Sequence, residues 1–328
     1  MAPNSINFDF ALFESPMVLP SRSDLYRLPI RGLGTAGQEA LLGYVHRLAR
    51  AHGVRVSHLL TSVILPKGTN SKEWQRGISS RKFLRTVNGY NKYAAEMAQV
   101  LSMLTQANAL SQGTLTHWQG LFDPSGSGLL HLEKHWCPEC IADDLELGEE
   151  PTFKLLWAVA CITHCPQHQA RLALQCEACG ASQSFVSDAH ASGQCDRCAS
   201  SLGWRIDLNN QAQAIPSPSD LFKVQAVSQM IAIGSEAEKI ACPQIFSKQL
   251  FAVASTSFNG SILKMANSLG LHRSALDAWI RRECKPRFSV LIELCYRLGA
   301  TPVELLRDDN LPIIFMSRSE ITPLGKRN

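Results

Sequence analysis

"CITHCPQHQARLALQCEACG", residues 161–180, contains two overlapping Cys-x-x-His pairs followed by a Cys-x-x-Cys pair. Cys161 with His164, and Cys165 with His168, both have the three-residue separation of zinc ligands. Working outward, "CPEC" stands at 137–140 and "CDRC" at 195–198. A turn of this kind aims both of its donor atoms at one centre, and two turns complete a tetrahedron. Pairing in sequence order assigns Cys137, Cys140, Cys165 and His168 to one Zn2+ ion, and Cys176, Cys179, Cys195 and Cys198 to a second. Two complete sets of four ligands leave no open coordination position, so both sites read as structural.

The overlap is resolved by what surrounds each pair. "LLWAVACI", 155–162, alternates larger Leu155, Trp157, Val159 and Cys161 with smaller side chains. That predicts a half-buried strand with Cys161 as a small buried hydrophobe. Cys165 is followed by Pro166, as Cys137 is by Pro138, and proline presets such a turn. The reading therefore favours Cys165 and His168. A catalytic zinc reading would rest on "HLE" (131–133) and "WCPEC" (136–140), which are similar to the H-x-E and P-C-x-x-C elements of zinc deaminases. They stand too close together, and the proline follows the first cysteine instead of preceding it. His131, His135 and His190 read as ordinary polar residues, and no catalytic residue is assigned.

The chain has 328 residues, 45% hydrophobic and 18% charged, with a formal charge of +4. This predicts two or three globular domains, and any basic surface must be local. The first twenty residues lack a basic start and apolar run, and no stretch approaches a membrane span. The expectation is a cytosolic protein with reduced thiols and no membrane partner. Eight of the eleven cysteines fall between 137 and 198, which points to metal.

The fold class expected is mainly α with small zinc-ribbon or zinc-knuckle β elements, in several domains. Residues 1–125 form a helical region, 126–207 a double zinc module, 208–220 a linker, 221–310 a helical DNA-binding domain, and 311–328 a basic tail. Residues 1–36 read as extended and available for docking. "TAGQ", 35–38, predicts a capping box with Thr35 as N-cap and Gln38 at the third helical position. The helix after it places Leu41, Val45, Leu48 and His52 on one face. A second helix, Tyr93 to Leu104, gathers Met97, Val100, Leu101 and Leu104. Residues 37–122 read as mainly helical, with Trp118 and Phe122 as core aromatics.

"ILKMANSLGLHRSALDAWI", 262–280, has the pattern of a helix-turn-helix. Ala266 lets the helices approach, Gly270 makes the turn, and Met265, Leu269, Leu271, Leu276 and Trp279 pack them together. Arg273, Ser274, Asp277, Ala278 and Arg281 remain on the side that would enter the major groove of double-stranded DNA. His272 is a poor N-cap. Arg282, Lys285 and Arg287 are assigned to phosphates. From Leu271 to Arg287 there are five Arg or Lys residues against two acidic ones, which is the local basic surface. "TPVELL", from 301, predicts another capping box on Thr301, Pro302 and Glu304.

The sequence resembles the TniQ/TnsD family, target-selection proteins of Tn7-like transposons. The likeness runs from "LPSRSDLYRLPIRGLGTAGQEALLGYVHRLARAHGV" through "TLTHWQGLF", "HWCPEC" and the Trp157-to-"CPQH" segment to "CEACG", over about residues 14–200. The family places a Cys-x-x-His turn eight residues after the tryptophan, again Cys165 and His168. Residues 243–310 resemble a phage-repressor (Cro/C1-type) helix-turn-helix. The resemblance implies a non-catalytic adaptor in the bacterial cytoplasm. It would bind target DNA, or dock on a CRISPR RNA-guided complex, and recruit an AAA+ ATPase regulator of the TnsC/TniB kind. Homodimers occur in the family. On this reading a flexible linker carries the DNA-reading module. The alternative is a zinc-containing helix-turn-helix transcriptional repressor.

Overall fold

The computed structural model describes residues 22–69, 84–186, 192–206 and 215–307. Helices dominate, and the described strand pairing consists of isolated antiparallel bridges. Helix α1, Leu41–Ala51, buries Leu41, Leu42, Tyr44, Val45, Leu48 and Ala49. It does not start at the predicted cap. Thr35 closes a tight turn on the Gly32 carbonyl, and the helix begins behind Ala40 without a side-chain cap. The cause is tertiary. Residues 38–40 run extended against 153–155, with Ala40 N–H donating to Phe153 O at 2.8 Å and Leu155 N–H to Gln38 O at 2.8 Å. At the other end His52 is the C-cap, stacked on Tyr26 at 4.2 Å.

A buried ion pair ties this entry segment to α1. Arg47 donates to both carboxylate oxygens of Glu39 at 2.7 Å and to Pro29 O at 2.7 Å. Glu39 is fully enclosed. Leu25 and Ile30 are also buried, and Leu25 N–H donates to Leu104 O. Leu25 and Ile30 anchor the segment read as available for docking, while most other residues of 22–36 are exposed; residues 1–21 lie outside the described residues.

Helix α2, Lys92–Thr105, is capped by Asn91, whose side chain accepts from Ala94 N–H at 2.9 Å. Met97, Val100, Leu101 and Leu104 are buried, as the period requires, and so are Trp118 and Phe122. Helix α3, Pro138–Glu146, starts at Cys137. Residues 155–158 form one helical turn instead of the predicted strand. Leu155, Leu156, Trp157 and Ala158 are all buried, so the large–small alternation did not mark two faces.

The C-terminal helices are α4 (Pro218–Ala232), α5 (Pro243–Phe258), α6 (Ile262–Leu269), α7 (Arg273–Ile280), α8 (Phe288–Leu298) and α9 (Pro302–Arg307). The α4 helix begins inside the segment read as a linker, behind a Ser217–Asp220 capping box. Thr301 and Glu304 form the box predicted for α9. Residues 208–214, Asp309 and the 311–328 tail lie outside the described residues. These helices are not held at a distance: they continue the core of the N-terminal region. The Trp118 indole N–H donates to Met230 O at 2.9 Å, Asp123 N–H to Pro286 O at 3.0 Å, and Phe122 packs on Phe288 at 5.1 Å. Gly120 lies so close to the Ala241 carbonyl that a Cβ there would collide with it. None of the described helices is long and apolar enough to cross a membrane.

Removing one partner of a buried ion pair strands the other charge. Arg47→Met is expected to cost about 3–5 kcal/mol in urea unfolding, whereas Glu39→Leu/Arg47→Met together should recover most of that loss.

Candidate metal centres and helix-turn-helix

Three of the four paired motifs share one backbone design. Cys165, Cys176 and Cys195 each donate their N–H to the carbonyl five residues on: Ala170, Ala181 and Ser200. Each of their carbonyls accepts from the N–H four residues on: Gln169, Gly180 and Ala199. Those three residues have φ of +53°, +69° and +59°. The left-handed residue turns the chain back, and antiparallel bridges 164–171, 175–182 and 194–201 clamp the base of each turn. Only Gly180 takes this conformation without a Cβ penalty. The fourth motif is different, because Cys137 and Cys140 sit on the first turn of α3.

Cys137, Cys140, Cys165 and His168 bring their donor atoms within 4.8 Å of one another, as do Cys176, Cys179, Cys195 and Cys198. Sγ–Sγ distances are 3.5 Å for Cys140–Cys165, and 3.7 Å for both Cys176–Cys198 and Cys179–Cys195. The Nδ1 of His168 lies 3.3 Å from Cys140 Sγ and 3.5 Å from Cys137 Sγ. Metal–sulfur bonds of roughly 2.3 Å in a tetrahedron put the sulfurs about 3.8 Å apart. The donor sets therefore fit one tetrahedral ion each, with every corner supplied by protein.

Cys161 lies outside both groups. Burial pushes its thiol up to about 12, which suits an inert core residue. His164 is buried beside the Thr163 hydroxyl, at 2.9 Å. His131 and His135 stack at 3.6 Å, also away from the clusters. Burial, with His135 beside it, lowers His131 to about 4. His190 lies outside the described residues.

The supporting residues were not read from the sequence. Asp143 Oδ2 lies 2.9 Å from His168 Nε2, so the imidazole can donate there and present Nδ1 to the sulfurs. Arg205 holds Asp143 at 2.6 Å and also bonds Glu139 and Glu146. Its guanidinium holds the Asp143 carboxyl below the usual carboxylate range. Lys154 Nζ stands 3.0 Å from Cys140 Sγ, and Gln183 Nε2 donates to Cys195 Sγ at 3.3 Å. Helical spacing could have found Asp143, one turn beyond Cys140. The Arg205, Lys154 and Gln183 contacts arise from chain return and have no local signature.

Helices α6 and α7 meet as predicted, with Met265, Ala266, Leu269, Leu276 and Trp279 buried and Leu271 partly so. Gly270 turns at φ +60°. Beneath it runs Arg297, fully buried, which donates to Leu269 O and pairs with Glu293 at 2.9 Å. A Cβ on Gly270 would collide with that guanidinium. His272 makes no capping bond and turns to Ser274 Oγ instead. Arg273, Ser274, Arg281, Arg282 and Arg287 are exposed and Lys285 half-buried. Asp277 pairs with Arg273 at 3.2 Å. Arg282 ends α7 with φ +63°, a left-handed conformation that favours glycine.

The chain is mainly helical and carries two Cys/His clusters and a paired-helix unit. The model of the TniQ family matches residues 30–172, and the chain carries a TniQ domain there. That match includes the first cluster and ends before the second. The comparison with curated proteins finds no match.

Metal analysis of the zinc-supplied protein is expected to return two ions per chain. Cys165→Ser should lose one and Cys161→Ser none. Asp143→Asn should weaken the first ion about 10- to 100-fold in chelator competition.

Proposed function

We propose that this protein is a non-catalytic target-site selector for a Tn7-like transposon. It holds two structural Zn2+ ions, binds double-stranded DNA through α7, and recruits the AAA+ ATPase regulator that brings in the transposase. The observation that carries this reading is the combination of a TniQ domain with a C-terminal helical unit that packs on it and carries a helix-turn-helix. Zinc is favoured over other metals by the soft thiolate-rich donor sets and their tetrahedral spacing. Full four-ligand sets support structural sites, since a catalytic zinc keeps a position open.

On this reading Arg273, Ser274 and Arg281 face base edges, while Arg282, Lys285 and Arg287 meet phosphates. Asp277 then tunes Arg273 by pairing with it. The left-handed Arg282 supports the phosphate role: it departs from the glycine preference of its position while presenting a charge beside the recognition helix. A repressor built on the same helix-turn-helix would bind DNA equally well but would not load the ATPase.

An unbiased DNA selection on the zinc-loaded chain tests the reading. A defined motif is expected, with each arginine–base contact contributing about 1–3 kcal/mol of discrimination. Arg273→Ala/Arg281→Ala should abolish the motif; binding that survives unchanged would refute direct readout. A salt-sensitive interaction without any motif would mean that a CRISPR RNA-guided partner chooses the site. Arg282→Gly separates stability from binding. Thermal stability should hold or rise, whereas the salt dependence of binding should fall by about one phosphate contact.

A further inference from the structure

A cavity of about 40 Å³ lies where α1, α3 and the segment of the second cysteine cluster meet. Its apolar lining is buried, with Leu42, Trp136, Ile141, Phe153, Trp157 and Leu202 all enclosed. Its polar lining, His46, Lys134, Thr152 and Ser192, is half-buried and forms the rim. Hydrogen bonds fix the walls. His46 Nε2 lies 3.1 Å from Phe185 O, and the Trp136 indole N–H donates to Leu202 O at 2.9 Å. Gly193, at φ +78°, packs so closely on Pro151 that a Cβ would stand 3.0 Å from it. Gln183 joins this wall to the second cluster. Its carbonyl accepts from Lys134 N–H at 3.2 Å, and its side chain donates to Cys195 Sγ at 3.3 Å.

The charge of this cavity is one-sided. No acidic side chain lines it. The Lys134 ammonium stands 5.3 Å from the centre of the Phe153 ring, which is also part of the lining, so its charge lies at the cavity wall. Among the described residues no carboxylate forms an ion pair with it. Asp196, the acid whose charge it feels, bonds Ser184 N–H at 3.2 Å instead. The neighbouring cation, Lys154, is taken by Cys140 Sγ at 3.0 Å. Desolvation holds Lys134 below its ordinary pKa, a shift that an anion beside it would reverse. Trp157 keeps a second donor, a buried indole N–H with no hydrogen-bond partner among the described residues. Partly buried charge and buried N–H groups are costly without acceptors, and an anionic acceptor is what the lining lacks.

We infer that this cavity binds a short-chain carboxylate, with its oxygens at Lys134 and its carbons against the aromatic walls. Size follows from the volume. One water-sized group occupies about 10–15 Å³ on this scale, so the cavity holds a carboxylate and one or two further carbons. Sulfate or phosphate would set charged oxygens against Phe153 and Trp136, which gives them nothing to bond. The carboxylate arrives as a free acid or as the side chain of an Asp or Glu on a partner; the recognised group is the same. The inference stands apart from the DNA-binding reading, since no residue of α6 or α7 lines the cavity. Because α1, α3 and the second module all supply walls, a bound carboxylate ties the three together.

Saturation-transfer NMR on the full zinc-loaded chain tests this, with propionate as the probe and propionamide and propylamine as its neutral and cationic isosteres. Propionate should bind, and the isosteres about 10-fold more weakly, the worth of one hydrogen bond to a charged group. Lys134→Met keeps the apolar stem and should lose propionate to the same degree, whereas Lys134→Arg should retain it. Thr152→Phe enlarges a rim residue and should block the probe with Lys134 intact, so it decides the matter if Lys134→Met fails to fold. Folded variants are those that keep both metal ions and the wild-type unfolding midpoint. The blocked peptide acetyl-Ala-Glu-Ala-amide separates the sources. Tighter binding than propionate assigns the site to a partner's side chain, and weaker binding assigns it to a free acid. Equal binding of propionate and its isosteres overturns the inference. So does propionate binding that is unchanged in folded Lys134→Met or in Thr152→Phe, or the failure of both acids to bind wild type.

Discussion

Four donor atoms meet at one point, twice, in the segment between Trp136 and Arg205. Pairing among its described residues is confined to isolated bridges, and its regular helix is the short α3. Three tight turns and one helix start converge because their sulfurs and one imidazole share two centres. Closely packed thiolates repel without a cation between them, and an ion in each centre turns that repulsion into a tie. Structural zinc contributes an apparent ~10–16 kcal/mol in small domains, more than these bridges could supply. Asp143 and Arg205 extend the tie outward, from imidazole to carboxylate to guanidinium, and so fasten the end of the module back onto α3.

The second organising constraint is the seam between the TniQ domain and the C-terminal helices. Phe122 and Trp118 belong to the first and contact Phe288 and Met230 of the second. Gly120 brings the two backbones together where a side chain would hold them apart. A helix-turn-helix held by a unit fixed in this way keeps a set angle to the rest of the molecule. A tethered module raises only local concentration, whereas a fixed one also transmits geometry.

The sequence was most legible where the rule is local. Cysteine spacing located both clusters, and the proline after Cys165 chose the correct neighbour of two overlapping pairs. The apolar period placed α2, and the small-residue and glycine positions of α6 and α7 foretold their packing. Errors came where distant chain intervened. Thr35 has the chemistry of a cap, yet residues 38–40 are claimed by 153–155 and the helix starts later. Leu155 to Ala158 is buried on all sides, and an alternation argument presumes one exposed face. Arg297, Arg205 and Glu39 look like surface charges in sequence, and only the folded chain shows two of them enclosed and the third clasping three acids.

Net charge, finally, conceals how the charges are divided. Residues 139–150 contain six acids and no Lys or Arg. Many of these acids are matched within the protein: Arg205 takes Glu139, Asp143 and Glu146, Arg50 takes Glu150, and Arg31 approaches Glu149. The basic side chains after α7 are mostly exposed, and Lys92 is exposed as well. Internal pairing of these acids and exposure of the bases after α7 leave a nearly neutral chain with a locally basic stretch beside the helix-turn-helix. Such a surface steers a polyanion toward one face, because the summed field acts at long range while each internal pair is felt only locally. A formal charge of +4 therefore understates the local positive charge after α7.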